Sequence, residues 1–359
     1  MCFNDNNQTK AEKIFEEKID KKHIQREEFE MLLEKVKDGE MIILSPEDEV
    51  SQLQSDLKMD TLVYSNDMIL DMIIDKVRKY TEDKELKRLI DSVKVGNLQD
   101  FITGRAYQEY SDNSHYTEIG RYFIQTIQQV SDIAASLFMS GEMNLSPLHS
   151  LALLKVNCAL IEGINNKENV LYIPAYSYAQ KLMKIVDDNL DKYFTDLLVY
   201  YGREICEMAI AFILGHELGH HYFAHIDNNI SVRDSSWIKE HEADQFGMKF
   251  ALEYMYASID EEDYVLPVKY KHIHKNVDYR ILGIIVAFIS SRLFDKRALE
   301  ESELHPSLQS REDTIWEEMI RCIDKKNLEN VMSKKEDLNN VILNLHKLNE
   351  LISEIEVND

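Results

Sequence analysis

Apolar residues recur at helical spacing through most of the chain. Thr9 followed by Glu12 reads as a capping box. Beyond it the stripe Ile14, Phe15, Ile19, Ile24, Phe29, Leu32, Leu33, Val36 predicts an amphipathic helix. The same periodicity predicts helices over Met68–Val77, around Leu86–Val93 and over Tyr122–Leu137. Strand signals are few. A short apolar run at Val156–Ile161, a turn at Asn165-Asn166-Lys167 and a second run at Val170–Ile173, closed by Pro174, predict a small antiparallel hairpin. Further on, Tyr200–His225 and Ser236–Tyr256 read as long apolar helices. The tail places Leu338, Val341, Leu345, Leu348, Ile352 and Ile355 at alternating steps of three and four, a heptad seam. A terminal helix packed on its own domain satisfies that seam, and so does a coiled-coil contact with a second copy or a partner protein.

The expected fold class is therefore mainly α with a small antiparallel β element. Only 5 Pro and 11 Gly interrupt the chain, which agrees with few tight turns. The stretch Ser140–Pro147 reads as a loop and a boundary. It separates a helical N-terminal domain over residues 1–145, for recognition or regulation, from a second domain over 146–320. Residues 321–359 form a C-terminal amphipathic helix region.

Charge narrows the partners. The net charge is −24, and protonating all 12 His would still leave −12. Such a chain repels phosphate backbones and anionic lipid, so neither nucleic acid nor membrane is an expected partner. The apolar run Ile281–Ile289 falls far short of the ~20 residues of a spanning helix. The four Cys, at 2, 158, 206 and 322, show no paired spacing and suggest free thiols in a reducing compartment. With no secretory signal in the first residues, the expected location is the cytoplasm.

Residues 216–220 read His-Glu-Leu-Gly-His. On a helix, positions i and i+4 share a face, so His216 and His220 can offer imidazole nitrogens to one metal ion. Glu217 lies about 100° round the helix, able to reach an activated water without being a ligand. Chance would supply only about 0.04 such motifs in a chain of this composition. The preceding run Ile210–Leu214 is apolar, and burying an uncommitted His pair and a Glu beside it would be costly.

A catalytic zinc site wants three protein ligands and one open position. The candidates for the third are His221, His225, Glu240, His241 and Glu242. His221 and His225 lie off the His216–His220 face and read better as core or surface histidines. Glu240 opens Glu240-His241-Glu242-Ala243-Asp244, with Asp244 one turn on along the same face. Glu240 can complete the ligand set. Asp244 can accept the second ring N–H of a ligand histidine and so set its tautomer. The small Ala243 would let two helices approach closely.

The pair of motifs, HELGH followed by Glu-x-x-Ala-Asp, resembles the gluzincin metallopeptidases in the form shared by the HtpX-like and CAAX-prenyl-protease-like branch. Val156-Asn157-Cys158-Ala159-Leu160 resembles the strand at that branch's active-site edge. His305-Pro306-Ser307-Leu308-Gln309-Ser310-Arg311 resembles its later His-Pro-x-x-x-x-Arg segment. Without membrane helices, the chain is more similar to the soluble Lit-type phage-exclusion peptidases. The resemblance implies a zincin-like core with an added N-terminal helical domain, and Zn²⁺ as cofactor. It implies substrate pairing at Asn157, Cys158 and Ala159. It also implies a catalytic place near the oxyanion for His305 or Arg311, with Arg311 buttressing Asp244 as the alternative role.

The expected function is zinc-dependent endopeptidase action on a protein or peptide substrate in the cytosol, with Glu217 as general base and a regulated or phage-defence role. Two alternatives remain open at this point. One is an ImmA/IrrE-like peptidase that cleaves a repressor. The other is a non-catalytic zinc-containing interaction module, whose helical regions bind a partner protein or a second copy.

Overall fold

The computed structural model describes residues 9, 10, 13, 66–98, 104–109, 114–143, 192–226, 236–259, 279–294, 307–323, 331–332 and 335–357. Among them the fold is mainly helical with one small sheet. In chain order the elements are α1 (Asn66–Tyr80), α2 (Lys84–Ser92), β1 (Val93–Leu98), β2 (Gly104–Glu109), β3 (Ser114–Gly120), α3 (Arg121–Met143), α4 (Lys192–Tyr222), α5 (Ser236–Ile259), α6 (Leu282–Phe294), α7 (Leu308–Cys322) and α8 (Lys335–Val357).

The helical periodicity locates α1, α2, α3, α4 and α5, with differences at their ends. Val93 leaves the helix and starts β1. α3 continues to Met143, so the first residues of the expected Ser140–Pro147 loop are helical. The stripe Ile14–Val36 and the expected hairpin at 156–173 lie outside the described residues.

The described sheet stands where only helices were expected, between α2 and α3. Its order is β1-β3-β2, with β1 parallel and β2 antiparallel to β3. It is therefore mixed rather than antiparallel throughout. Thr117, Glu118, Ile119 and Gly120 are all buried, as befits a central strand covered on both faces. The strands are short, polar and punctuated by Gly96 and Gly104, so they carry little of the β-branched alternation that marks a strand in sequence.

α4 is the axis of the molecule. From Glu204 to Gly219 every residue is buried, because α3, α5 and α6 pack around it and β2 and β3 lie against its C-terminal part. A helix apolar on all sides is what a central position requires. α6 is likewise buried from Leu282 to Ser290, so the run that looked lipid-like is bundle core. Among the described residues no helix is long and apolar enough to cross a membrane.

Small residues set the α4–α5 distance. A Cβ on Gly215 would stand 2.5 Å from the Phe250 Cβ, and one on Gly247 would stand 2.8 Å from the Phe212 carbonyl oxygen. A Cβ on Gly219 would meet the Ala243 Cα at 3.0 Å. The glycine inside HELGH and the alanine inside Glu-x-x-Ala-Asp are thus two sides of one close helix contact.

The apolar core is continuous. Residues from both sides of position 145 contribute, with Ile73, Phe123 and Ile127 joining Phe212, Phe250 and Ile285. Leu338, Val341 and Leu345 of the heptad seam are buried in the same core, where α8 packs on α3 and α6. Arg292 of α6, Glu312 of α7 and His346 of α8 tie that corner together, with the His346 Nε2 2.9 Å from Glu312.

Candidate metal centre

The C-terminal turns of α4 and the first turns of α5 bring His216, His220 and Glu240 together. The Nε2 atoms of His216 and His220 lie 3.2 Å apart. Glu240 Oε2 stands 3.7 Å from His216 Nε2, and its Oε1 3.8 Å from His220 Nε2. Ligand atoms about 2.0–2.2 Å from a tetrahedrally held zinc stand roughly 3.3–3.6 Å from one another. The three side chains therefore fit a single divalent ion.

The other ring nitrogens strengthen that fit. His216 Nδ1 donates to Asp244 Oδ1 at 2.9 Å, and His220 Nδ1 lies 3.0 Å from the ring of His225. With both Nδ1 protons committed outward, each Nε2 presents a lone pair to the same small space as a carboxylate. Two ring nitrogens and a carboxylate that converge in one small space can be satisfied together by a shared cation.

Electrostatics distinguish the two imidazoles. Burial, with His216 and His225 adding to it, pulls His220 down to about 2, so its ring is neutral. Neutral imidazole is the form that binds metal. Burial also opposes charge on His216, but its hydrogen bond to Asp244 and the charges of Asp244, Glu240 and Glu217 outweigh burial and raise it. Asp244 is wholly buried. The desolvation that would raise it is overcome by Arg311 and then His216, which hold it well below the usual carboxylate range.

Arg311 contacts two carboxylates of α5. Its Nε and Nη2 donate to the two Asp244 oxygens at 2.7 Å each, and its Nη1 donates to Glu240 Oε2 at 2.9 Å. A planar fork suits this bidentate grip. Ser307 caps α7 by accepting from the Ser310 N–H at 3.1 Å, and Arg311 follows one turn later. The cap thus aims the arginine at α5. The guanidinium is thus engaged by two carboxylates.

Glu217 is 7% exposed and faces strand β2. A Cβ on Gly104, the first residue of that strand, would stand 2.6 Å from Glu217 Oε1. Glycine at 104 lets the strand backbone pass directly over the carboxylate, a role isolated strand glycines often serve. β2 is an edge strand, and no described residue pairs with its outer side. Sequence reasoning found no chemistry in this stretch. Gly104 and Gly96 were the signals available there.

The remaining candidates fall as follows. His305, Asn157, Cys158 and Ala159 lie outside the described residues. His241 is half-buried and points to Gln245 and Glu318, away from the imidazoles. His221 bonds Thr117 through Nε2 at 3.0 Å and His115 through Nδ1 at 3.1 Å, fastening β3 to α4. Burial and then His115 lower it to about 3. His225 and Glu242 stand behind His220, with His225 Nε2 3.0 Å from Glu242 Oε2.

A turn at the end of α4 places His225. The Ala224 N–H reaches the His221 carbonyl at 3.1 Å and the His225 N–H reaches the His220 carbonyl at 2.9 Å, a Schellman pattern. Ala224 adopts φ 56°, the left-handed region where glycine is usual. That choice costs on the order of 1 kcal/mol.

Two imidazoles, a carboxylate on a second helix and an adjacent carboxylate base constitute a centre able to hold a divalent metal beside a proton acceptor, the constellation of a hydrolase. Residues 178–327 match the Peptidase U49 family, and this stretch contains His216, Glu217, His220, Glu240, Asp244 and Arg311. The match covers about two-fifths of the chain. It supports a peptidase of the Lit type and does not single out the HtpX-like branch. No curated protein and no solved structure matches the chain.

Proposed function

We propose that this protein is a zinc-dependent endopeptidase of gluzincin type. The observation that carries the reading is the convergence of His216 Nε2, His220 Nε2 and the Glu240 carboxylate, every pair within 3.2–3.8 Å. Two imidazoles and one carboxylate suit zinc, and the set leaves a position open. Zinc held there would polarise a scissile carbonyl as a Lewis acid and would lower the pKa of a bound water toward about 7.

The chain's own groups do the rest. Glu217 takes the proton of the attacking water and returns it to the leaving amine, as a general base and then acid. Its place under the Gly104 backbone keeps it beside any peptide lying along β2. The outer edge of β2 offers main-chain N–H and C=O groups, and an extended substrate segment can pair with them. The Asn157–Ala159 segment, which lies outside the described residues, is a second such candidate from its sequence. Asp244 and Arg311 orient His216 and Glu240 from behind. The Lit-type resemblance supports regulated cleavage of a cytosolic protein, in phage defence, as the biological role.

The test compares wild type with Glu217→Gln for metal content and for cleavage of a proteome digest. The variant should keep its metal and lose about 10²–10⁴-fold in rate. Equal hydrolysis by both proteins would remove Glu217 from the mechanism. Full metal occupancy in Glu240→Ala would remove Glu240 from the ligand set.

A further inference from the structure

The two imidazoles of the candidate centre are supported by different means. His216 donates Nδ1–H straight to a carboxylate, Asp244. His220 has no carboxylate at its Nδ1. It meets Nδ1 of His225 at 3.0 Å, and His225 Nε2 in turn meets Glu242 Oε2 at 3.0 Å.

The direction of each bond follows from the chemistry of the groups. An ionised carboxylate only accepts, so His225 carries its proton on Nε2 and donates it to Glu242. A neutral ring then has its lone pair on Nδ1, where it accepts the Nδ1–H of His220. His220 is left with a lone pair on Nε2, aimed at His216 and Glu240. With neutral rings, one set of tautomers satisfies the bonds from Glu242 through His225 to His220 Nδ1, and it is the set that presents His220 Nε2 to a metal.

We infer that His225, anchored by Glu242, is a positioning residue that fixes the tautomer and ring orientation of His220. The inference rests on the reading of His216, His220 and Glu240 as metal ligands.

Three further observations support it. The His225 side chain is only 6% exposed although it follows the helix end, so its ring is packed rather than free in solvent. It stacks on Phe223, with the rings 19° from parallel and their centroids 5.5 Å apart. The turn that returns it to His220 uses a left-handed alanine, a conformation that the surrounding contacts must hold. α5 supplies both the third candidate ligand, Glu240, and the anchor, Glu242. The gap between α4 and α5 therefore sets the ligand and its brace together.

The experiment measures zinc affinity of the full chain by competition with a chromogenic chelator, together with the melting temperature of each metal-free protein. His225→Phe keeps the stacking on Phe223 and removes the acceptor. It should weaken zinc binding about 10–100-fold, the usual range for groups that orient a ligand. His225→Asn puts an amide oxygen near the place of Nδ1 and should recover most of that loss. Glu242→Ala should weaken zinc less than His225→Phe, because the direct acceptor remains.

Wild-type affinity in His225→Phe overturns the inference. So does a His225→Asn protein that melts like wild type yet binds zinc as poorly as His225→Phe, since the acceptor would then not be the active element. A wild-type chain that takes up no zinc, and is matched by His220→Ala, overturns the metal reading itself and this inference with it.

Discussion

α4 carries two buried polar clusters, about three turns apart, and they are built on opposite plans. Toward the N-terminal side, Glu204 pairs with Arg280 at 2.6 Å. Glu207 pairs with Arg203 at 2.6 Å and accepts from the Tyr254 hydroxyl. Each of these carboxylates meets a donor. Toward the C-terminal side, His216, His220 and Glu240 converge, the two Nδ1 atoms are engaged at the rear by Asp244 and His225, and Arg311 donates to Glu240. Burial of charge by itself therefore says little about function. A cluster that neutralises itself is structural. A cluster whose lone pairs converge is built for a ligand that carries positive charge.

Melting each variant with and without zinc sharpens that contrast. The largest effect is expected for Glu204→Leu, which strands Arg280 in the core. Breaking such a buried pair costs about 3–5 kcal/mol. The stabilisation that added zinc confers should stay as in wild type, because the candidate centre lies elsewhere. Loss of the zinc response in this variant would show that the two clusters are one unit.

Glu240→Ala should do the reverse. Its metal-free melting should change little, since it removes one of three crowded acceptors. The zinc-induced stabilisation, about 4 kcal/mol at a thousandfold excess over Kd, should largely vanish. An undiminished zinc response would place the cation with other groups.

Next in size is Gly219→Ala. The added methyl meets the Ala243 backbone at 3.0 Å, and overpacking of this kind costs typically ~1–3 kcal/mol. The variant should melt lower and also bind zinc more weakly, because moving α5 away carries Glu240 with it. A lower melting point with unchanged zinc affinity would uncouple the helix seam from the site.

The smallest effect is expected for Ala224→Gly, which relieves the left-handed residue and should raise the metal-free stability by roughly 1 kcal/mol or less. The turn would persist, and zinc affinity should hold.

Titration of the metal-free protein separates the clusters further. Asp244 is held below its unfolded value, so its contribution is present above the unfolded carboxylate pKa of about 3.9. That contribution is lost as pH falls through the lower folded value. Stability measured from pH 6 down to pH 3 should decline less steeply in Asp244→Asn than in wild type. His216 is held above its unfolded value, so its contribution is fully present below about 6.5 and fades as pH rises through the folded value. The gentler fall in stability above neutrality should disappear in His216→Gln.

Much of this could be read along the chain. Periodicity located α4 and α5, and i, i+4 spacing placed His216 with His220 and Glu240 with Asp244, because those relations are local and a helix enforces them. The close helix approach at Ala243 was legible from its size. The strands between Val93 and Gly120 were not, because their pairing is nonlocal and their residues are polar and glycine-rich. The positions of His225 and Glu242 were equally hidden. Wheel geometry assumes that the helix continues, whereas the left-handed turn at Ala224 ends it and folds residue 225 back.

What the sequence alone determined is the donor set: two imidazoles one turn apart, a neighbouring base, and a second helix beginning with carboxylates. What only the tertiary structure decided is which carboxylate meets the imidazoles and what stands behind each one. It also decided that Arg311 grips Asp244, and that an unforeseen strand lies over Glu217. Those choices depend on distances between helices and strands far apart in the chain. Packing sets such distances, through glycine contacts at 215, 219 and 247 that no local pattern encodes.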